Sequence, residues 1–298
     1  MSGAALLPSM VTAAIDNSQP ATRFPGHPRE RIAIASYPFR KYVAGRKDPL
    51  GGHKLELKDF SAHVAEKLNI RKIEPWSEHF RSLDQNYLAQ IRAAVAKTGG
   101  MIVNIAVDGD HSPYAVDKSE REKSVAFSKQ WIDAAAAVGS LSIRSNIPKA
   151  ADSEPDAQRA ADSLSQVVEY AARKNIVVNM ENDNPVSEDP FFIVQVIEKV
   201  NNPWLHALPD FANSLTTGRE DHAYQGIQAM FAHAYNISHV KALEANEQGK
   251  EFRVDMAKTF NMMRSAHYKG YCSMEFDSPG DPYKGTSELI ETTLKYLS

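Results

Sequence analysis

Four runs of β-branched and apolar residues in the second half of the chain end in side chains able to ligate a cation. Ile176-Val-Val-Asn-Met-Glu181 and Leu205-His-Ala-Leu-Pro-Asp210 each close on a carboxylate. Ile237-Ser-His239-Val-Lys241 sets an imidazole and an ammonium two residues apart, hence on one face of a strand, and Tyr271-Cys-Ser-Met-Glu275-Phe-Asp277 ends in two acids at the same spacing. Glu181, Asp210, His239 and Glu275 together supply three oxygens and one nitrogen, the donor set of a hard or borderline divalent ion with positions left for substrate. Taken singly, a strand-end carboxylate is ordinarily an ion pair or a loop cap, and a lone histidine is ordinarily a hydrogen-bonded core residue. Their joint position at four consecutive strand exits is what points to a metal centre.

Such side chains need a scaffold that brings distant strand ends together. Strand-like runs occur at residues 32–39, 70–76, 101–108, 141–146, 176–181, 205–210, 237–242 and 271–277. Amphipathic helical patterns separate them, at 58–68, 84–98, 117–138, 156–174, 190–200, 221–234, 254–268 and 287–297. Punctuation supports the helices: Asp84 at an N-cap, Pro190 in a first turn after Asp189, Gly99-Gly100 and Gly139 at C-termini, and Lys269-Gly270 before the last strand. Eight strands alternating with eight helices predict parallel units closing into an α/β (β/α)8 TIM barrel, one domain over residues 31–298. An open doubly wound sheet is the competing fold, but no Gly-x-Gly-x-x-Gly follows the first strand. In a barrel the chemistry sits at the carboxyl ends of the strands, which is where the polar residues of this chain cluster.

At 298 residues with a net charge of −3, nothing in the charge balance favours a nucleic-acid backbone as partner. The single cysteine, Cys272, excludes a disulfide framework and a cysteine zinc site. No window reaches the roughly 18 uninterrupted apolar residues of a membrane span. Residues 1–30 read as a disordered or residual signal and linker segment: a small apolar stretch to Ile15, then a polar, Pro-rich spacer. The stretch is similar to a twin-arginine export signal without its arginine pair, which implies an exported or periplasmic protein; a disordered start of a cytoplasmic protein is the other reading.

Met180-Glu-Asn182, Leu208-Pro-Asp-Phe-Ala-Asn213, Ser238-His-Val-Lys241 and Gly270-Tyr-Cys-Ser-Met-Glu-Phe276 resemble the sugar phosphate isomerase/epimerase family of xylose-isomerase-like TIM barrels. The likeness runs from Arg31 to the C-terminus, with its signature in the second half. It implies that Glu181, Asp210, His239 and Glu275 bind one divalent ion, manganese, magnesium or zinc. The chain departs from the family where Asn213 replaces a usual histidine, where Ile237 replaces another, and where Asp183 follows Glu181-Asn182 in place of a histidine. Those changes leave metal binding in place but remove the warrant for copying any relative's substrate.

A cation-bound hydroxy-carbonyl is acidified at the neighbouring carbon. Glu181 and Glu275 are the candidate bases on either side, with Lys241 as oxyanion stabiliser or as a partner of a nearby carboxylate. The expected activity is therefore a metal-dependent sugar isomerase or epimerase. A lyase or hydratase on a 3-keto-sugar or 3-keto-glycoside uses the same enolate chemistry. An abasic-site endonuclease needs a basic groove and further histidines, and a non-catalytic sugar-binding protein is the remaining class. Candidate substrate contacts are Glu74, Trp76, His79, Asn104, His111, Arg144, Asn213, Lys241 and Asp277. For Arg144 a barrel ion pair, for Trp76 rim packing and for His111 an exposed surface position are the structural alternatives. Tyr37, Phe39 and Arg40 at the first strand exit are further candidates, and the loop over residues 40–57 would shape the pocket. Asp277, Ser278, Gly280 and Asp281 after the last strand would repel a phosphate, so an unphosphorylated sugar is the expected partner. No nucleic acid and no membrane are expected, and a homo-oligomer is compatible with the reading.

Overall fold

The computed structural model describes residues 19–48 and 54–298. The signal-like stretch at the start lies outside the described residues, as do residues 49–53 of the first long loop. The eight strands of the barrel are Ile32–Ala35, Lys72–Glu74, a third in two pieces (Met101–Ile102 and Ile105–Val107), Ser142–Ser145, Val177–Glu181, Leu205–Leu208, Ile237–Val240 and Tyr271–Met274. Between and after them run the helices Leu57–Leu68, Gln85–Lys97, Lys118–Val138, Ala157–Lys174, Pro190–Val200, Glu220–Phe231, Met256–Ser265 and Pro282–Leu297. The fold is the α/β TIM barrel that the alternation predicts.

Every barrel pairing is parallel. Strands three (first piece), two, one, eight and seven form one ladder, and strands three (second piece), four, five and six form another. Isolated bridges join the two: Trp76 with Ala106 on one side and Asp210 with His239 on the other. Residues such as Ile32, Ile34, Ile143, Val178, Ala207 and Val240 are fully buried, as strands covered on both faces must be. Burying each of the isoleucine and valine side chains contributes about 1.5–3 kcal/mol.

The helix ends follow from capping chemistry. Asp84, Asp117, Asp156, Asp189, Asp255 and Asp281 each accept a hydrogen bond from a first-turn amide of the helix that follows. Asn69, Asn175, Asn201 and Gly139 close helices in the left-handed conformation.

Three expectations require correction. The last helix begins at Pro282, not near residue 287, because Asp281-Pro282 supplies an N-cap and a first-turn proline. A hairpin of Leu243–Ala245 with Glu251–Arg253 follows the seventh strand; its ribbon packs too little apolar surface to show a strand pattern. The spacer expected to be unstructured joins the barrel before Arg31: Phe24 meets Tyr235 and Tyr271 edge-on at 5.2 and 5.8 Å, and the Thr22 amide donates to the Tyr235 hydroxyl at 3.0 Å.

Candidate metal and substrate site

Glu181 is the last residue of the fifth strand, and Asp210 lies two residues beyond the sixth. His239 sits within the seventh strand, in register with Ser273 of the eighth, and Glu275 is the first residue after that strand. All four are buried, and one ligand atom from each lies within 4.8 Å of the others. The sequence builds this convergence locally. Asn182 accepts the Asp210 amide at 2.7 Å and donates to the Asp210 carbonyl at 3.1 Å, which locks the fifth strand exit to the sixth. Asp210 Oδ1 accepts the amides of Ala212 and Asn213 at 2.8 and 2.7 Å. Its Oδ2 has no hydrogen bond, and neither do Glu181 Oε2 and Glu275 Oε2.

Buried carboxylate oxygens without hydrogen bonds are costly. Three carboxylates with such an oxygen, clustered with one imidazole, fit a divalent cation, since oxygen-rich sets with one nitrogen suit magnesium, manganese or zinc. His239 Nδ1 is the nitrogen on this side, 2.8 Å from Glu181 Oε1 and 3.0 Å from Glu275 Oε2.

Two buried cations balance the acids. Arg144 reaches Asp108 Oδ1 at 2.5 Å, and its Nε meets Glu181 Oε2 at 2.8 Å without the alignment of a hydrogen bond. Lys241 Nζ donates to Asn213 Oδ1 at 2.9 Å and Glu244 Oε2 at 3.0 Å, and lies 3.4 Å from Glu275 and 3.8 Å from Asp210. Burial pushes the Asp210 carboxyl up to about 7, more than the Lys241 charge brings it down. Burial would also raise Glu275, but His239 and Lys241 override it and hold that carboxyl well below the usual carboxylate range. Burial and then the Glu181 charge push Asp183 up to about 6.

Above the cluster opens a cleft of about 640 Å³. One wall is aromatic: Tyr37 and Trp76 meet edge-on at 5.1 Å, and the Trp76 indole donates to Asp108 at 2.6 Å. Arg40 lies over the Tyr37 ring at 4.3 Å and pairs with Asp277 at 2.7 Å. The facing wall comes from the hairpin turn, through Asn246, Glu247 and Gln248.

Of the residues singled out from sequence, Glu181, Glu275, Lys241, Trp76, Arg144, Asn213 and Asp277 line this cleft. Glu74, His79, Asn104 and His111 do not, and neither do the buried Asp210 and His239. Glu74 points into the barrel beneath the cluster, where both its oxygens face His239 Nε2 at 3.0 and 2.9 Å, and Asn104 donates to it at 2.6 Å. His79 is buried behind Trp76 with Nδ1 2.7 Å from the Ser36 hydroxyl, because Ser77–His79 folds back as a short 3-10 turn. His111 is drawn outward to Glu120, in the first turn of its helix, at 3.0 Å. The hairpin residues were absent from the sequence reading. Asn246 and Gly249, closing the turn through the Gly249 amide at 2.8 Å, were the available signal.

Residues 62–297 match the family described as xylose isomerase-like TIM barrel. No curated protein matches the sequence. The fold is similar to that of D-allulose 3-epimerase from Methylomonas sp., at 14% identity and TM-score 0.68, covering 92% of this chain and 100% of that one. It is also similar to 3-keto-D-glucoside 4-epimerase from E. coli, at 16% identity and TM-score 0.63 over 88% and 98% of the two chains. A xylose isomerase-like TIM barrel protein from Mycobacterium smegmatis, solved in complex with magnesium, aligns at 16% identity and TM-score 0.63 over 90% and 98%. At these identities the likeness is one of fold.

Proposed function

Because the chain belongs to the xylose isomerase-like TIM barrel family, we propose that it is a divalent-metal-dependent isomerase or epimerase of an unphosphorylated sugar. The observation that carries this reading is the buried meeting of Glu181, Asp210, His239 and Glu275, with three carboxylate oxygens lacking hydrogen bonds, two of the four residues (Glu181 and Glu275) lining an open cleft. A bound divalent cation would polarise a hydroxy-carbonyl and acidify the adjacent C–H bond.

The chain's own groups do the rest. Glu181 and Glu275, which both reach His239 Nδ1 and both line the cleft, serve as the acid–base pair, one taking the proton and the other returning it. Return to the same carbon from the opposite face gives the epimer; return to the neighbouring carbon gives the isomer. The Lys241 ammonium, 3.4 Å from Glu275 Oε2, stabilises the negative oxygen that develops. Tyr37 and Trp76 offer their faces and edges to a sugar ring. Asp183, Glu244, Glu247 and Asp277 line the cleft besides the cluster, while Arg40, Arg144 and Lys241 are already engaged by carboxylates, an arrangement that disfavours a phosphate dianion. With a leaving group β to the carbonyl, the same pair would support elimination, and Lys241 as a second proton donor beside Glu275 favours that lyase as the second reading. The segment ending at Ile15 favours an exported enzyme, which would meet free sugars and glycosides.

The test is solvent exchange. Protein stripped with a chelator and reloaded with Mn2+, Mg2+ or Zn2+ is incubated with ketoses, aldoses and 3-keto-glycosides in deuterated water and followed by NMR. Metal-dependent loss of one C–H signal is expected. Exchange that survives stripping, or exchange that no metal restores, would refute the assignment.

A further inference from the structure

We infer that Glu74 is a positioning residue, a buried carboxylate that fixes the imidazole of His239 so that Nδ1 faces the cation; this rests on the metal-dependent reading above. Both oxygens of Glu74 lie against one atom, His239 Nε2, at 2.9 and 3.0 Å. With Nε2 turned to both Glu74 oxygens, the ring presents Nδ1 to the opposite side. Nδ1, 2.8 Å from Glu181 Oε1 and 3.0 Å from Glu275 Oε2, is the ring nitrogen that would face the cation in place of its contact with Glu181. Metal-bound histidines held this way keep their tautomer and ring orientation and gain basicity.

Glu74 is itself held from below by a chain of hydrogen bonds through the barrel interior. The Asn236 amide donates to the Ser142 hydroxyl at 2.8 Å, and that hydroxyl reaches Asn104 Oδ1 at 2.5 Å. Asn104 then donates to Glu74 Oε1 at 2.6 Å. The chain has a direction: with its oxygen taken by Ser142, the Asn104 side chain can present only its NH2 to Glu74. Each of these residues is buried, so water does not compete for the contacts. They come from strands two and four, from the residue just before strand seven, and from the break in strand three between Ile102 and Ile105, which frees Asn104 from the ladder. None of them lines the cleft, so their effect reaches the substrate only through His239.

The measurement is metal affinity of the full chain, by competition with a fluorescent chelator for Mn2+ and Zn2+. Glu74→Gln keeps the shape but offers a neutral acceptor, and its metal Kd is expected to rise by about 10–100-fold. At saturating metal the sugar KM should stay within about twofold of the wild type. Side-chain 15N NMR of the Zn2+ form gives a readout that a merely structural role would not move. His239 should be protonated at Nε2 in the wild type and should show an upfield or mixed ring signature in the variant. Asn104→Ala, which alters neither Glu74 nor a proposed ligand, should weaken metal by about threefold and covers the case in which Glu74→Gln does not fold. Wild-type protein that binds metal alongside variants that bind it equally well would overturn the positioning role alone. Wild-type protein that binds neither ion would overturn the enzymatic reading and this inference with it.

Discussion

Replacing Arg144 with methionine removes a charge at nearly constant length and should expose how the site is balanced. The guanidinium is almost fully buried and contacts two acids with different freedom. Asp108, whose side chain is 39% exposed, can turn to water when its partner goes. Glu181, at 3%, cannot. It retains His239 at 2.8 Å on Oε1 but loses the guanidinium that lies 2.8 Å from Oε2. Breaking a buried pair costs about 3–5 kcal/mol, and the partial compensation by His239 puts Arg144→Met near the low end, at about 3 kcal/mol. With an unfolding entropy of about 2.1 cal/mol/K per residue over 298 residues, that lowers Tm by about 5 °C. A bound cation gives Glu181 a new counter-charge, so saturating Mn2+ should shrink the loss to roughly half. Urea midpoints and calorimetry of both proteins, stripped and metal-loaded, decide the matter. A variant as stable as wild type without metal, or a deficit that metal leaves unchanged, would refute this account of the charge balance.

Two further perturbations probe the packing around the site. Burial pushes the His79 imidazole down to about 4, well below the ordinary histidine value near 6.5. The native state therefore binds this proton less readily than the unfolded chain: the stabilisation is full above pH 6.5, falls as pH drops towards 4 and is flat below. It amounts to roughly 3 kcal/mol, and the urea midpoint of His79→Gln should lose that much of the wild-type pH dependence; parallel curves for the two proteins would count against it. A Cβ on Gly285 would lie 2.3–2.6 Å from ring atoms of Phe276, the residue after Glu275. Gly285→Ala should cost about 1–3 kcal/mol by overpacking and weaken metal binding as well. Unchanged calorimetric stability would show that the ring moves aside freely.

Much of the architecture was legible because each level of the sequence agreed with the next. Asp-initiated helices, glycine helix ends and apolar strand runs all pointed to one alternation, and strand exits carrying acids pointed to one face. What was not legible turned on direction. Glu74 ends a strand just as Glu181 does, yet one turns down towards His239 Nε2 and the other lines the cleft, a difference set by neighbouring strands and not by spacing. His79 and His111 stood near the right loops, but a short 3-10 turn buries the first and Glu120 captures the second. The hairpin escaped notice because Leu-Glu-Ala and Glu-Phe-Arg, with Phe252 packed on the core, are too short for a strand period to show. Trp76, readable as rim packing or platform, and Tyr37, readable as a cleft residue, form the aromatic wall because their strands are neighbours in the closed ladder.

The hydrogen-bonded ladder does not run unbroken around the cylinder. Two half-shells meet along joins, one of which is carried by the His239 amide on the Pro209 carbonyl at 3.1 Å and the Phe211 amide on the His239 carbonyl at 3.3 Å. Glu181 and Asp210 belong to one half-shell, His239 and Glu275 to the other. An ion shared among those four would act as a rivet through that join, so that the chemistry and the mechanical integrity of the shell fail or survive together. Breathing of the barrel would then begin at these two amides, and the same rivet that readies a sugar for reaction would hold the halves shut.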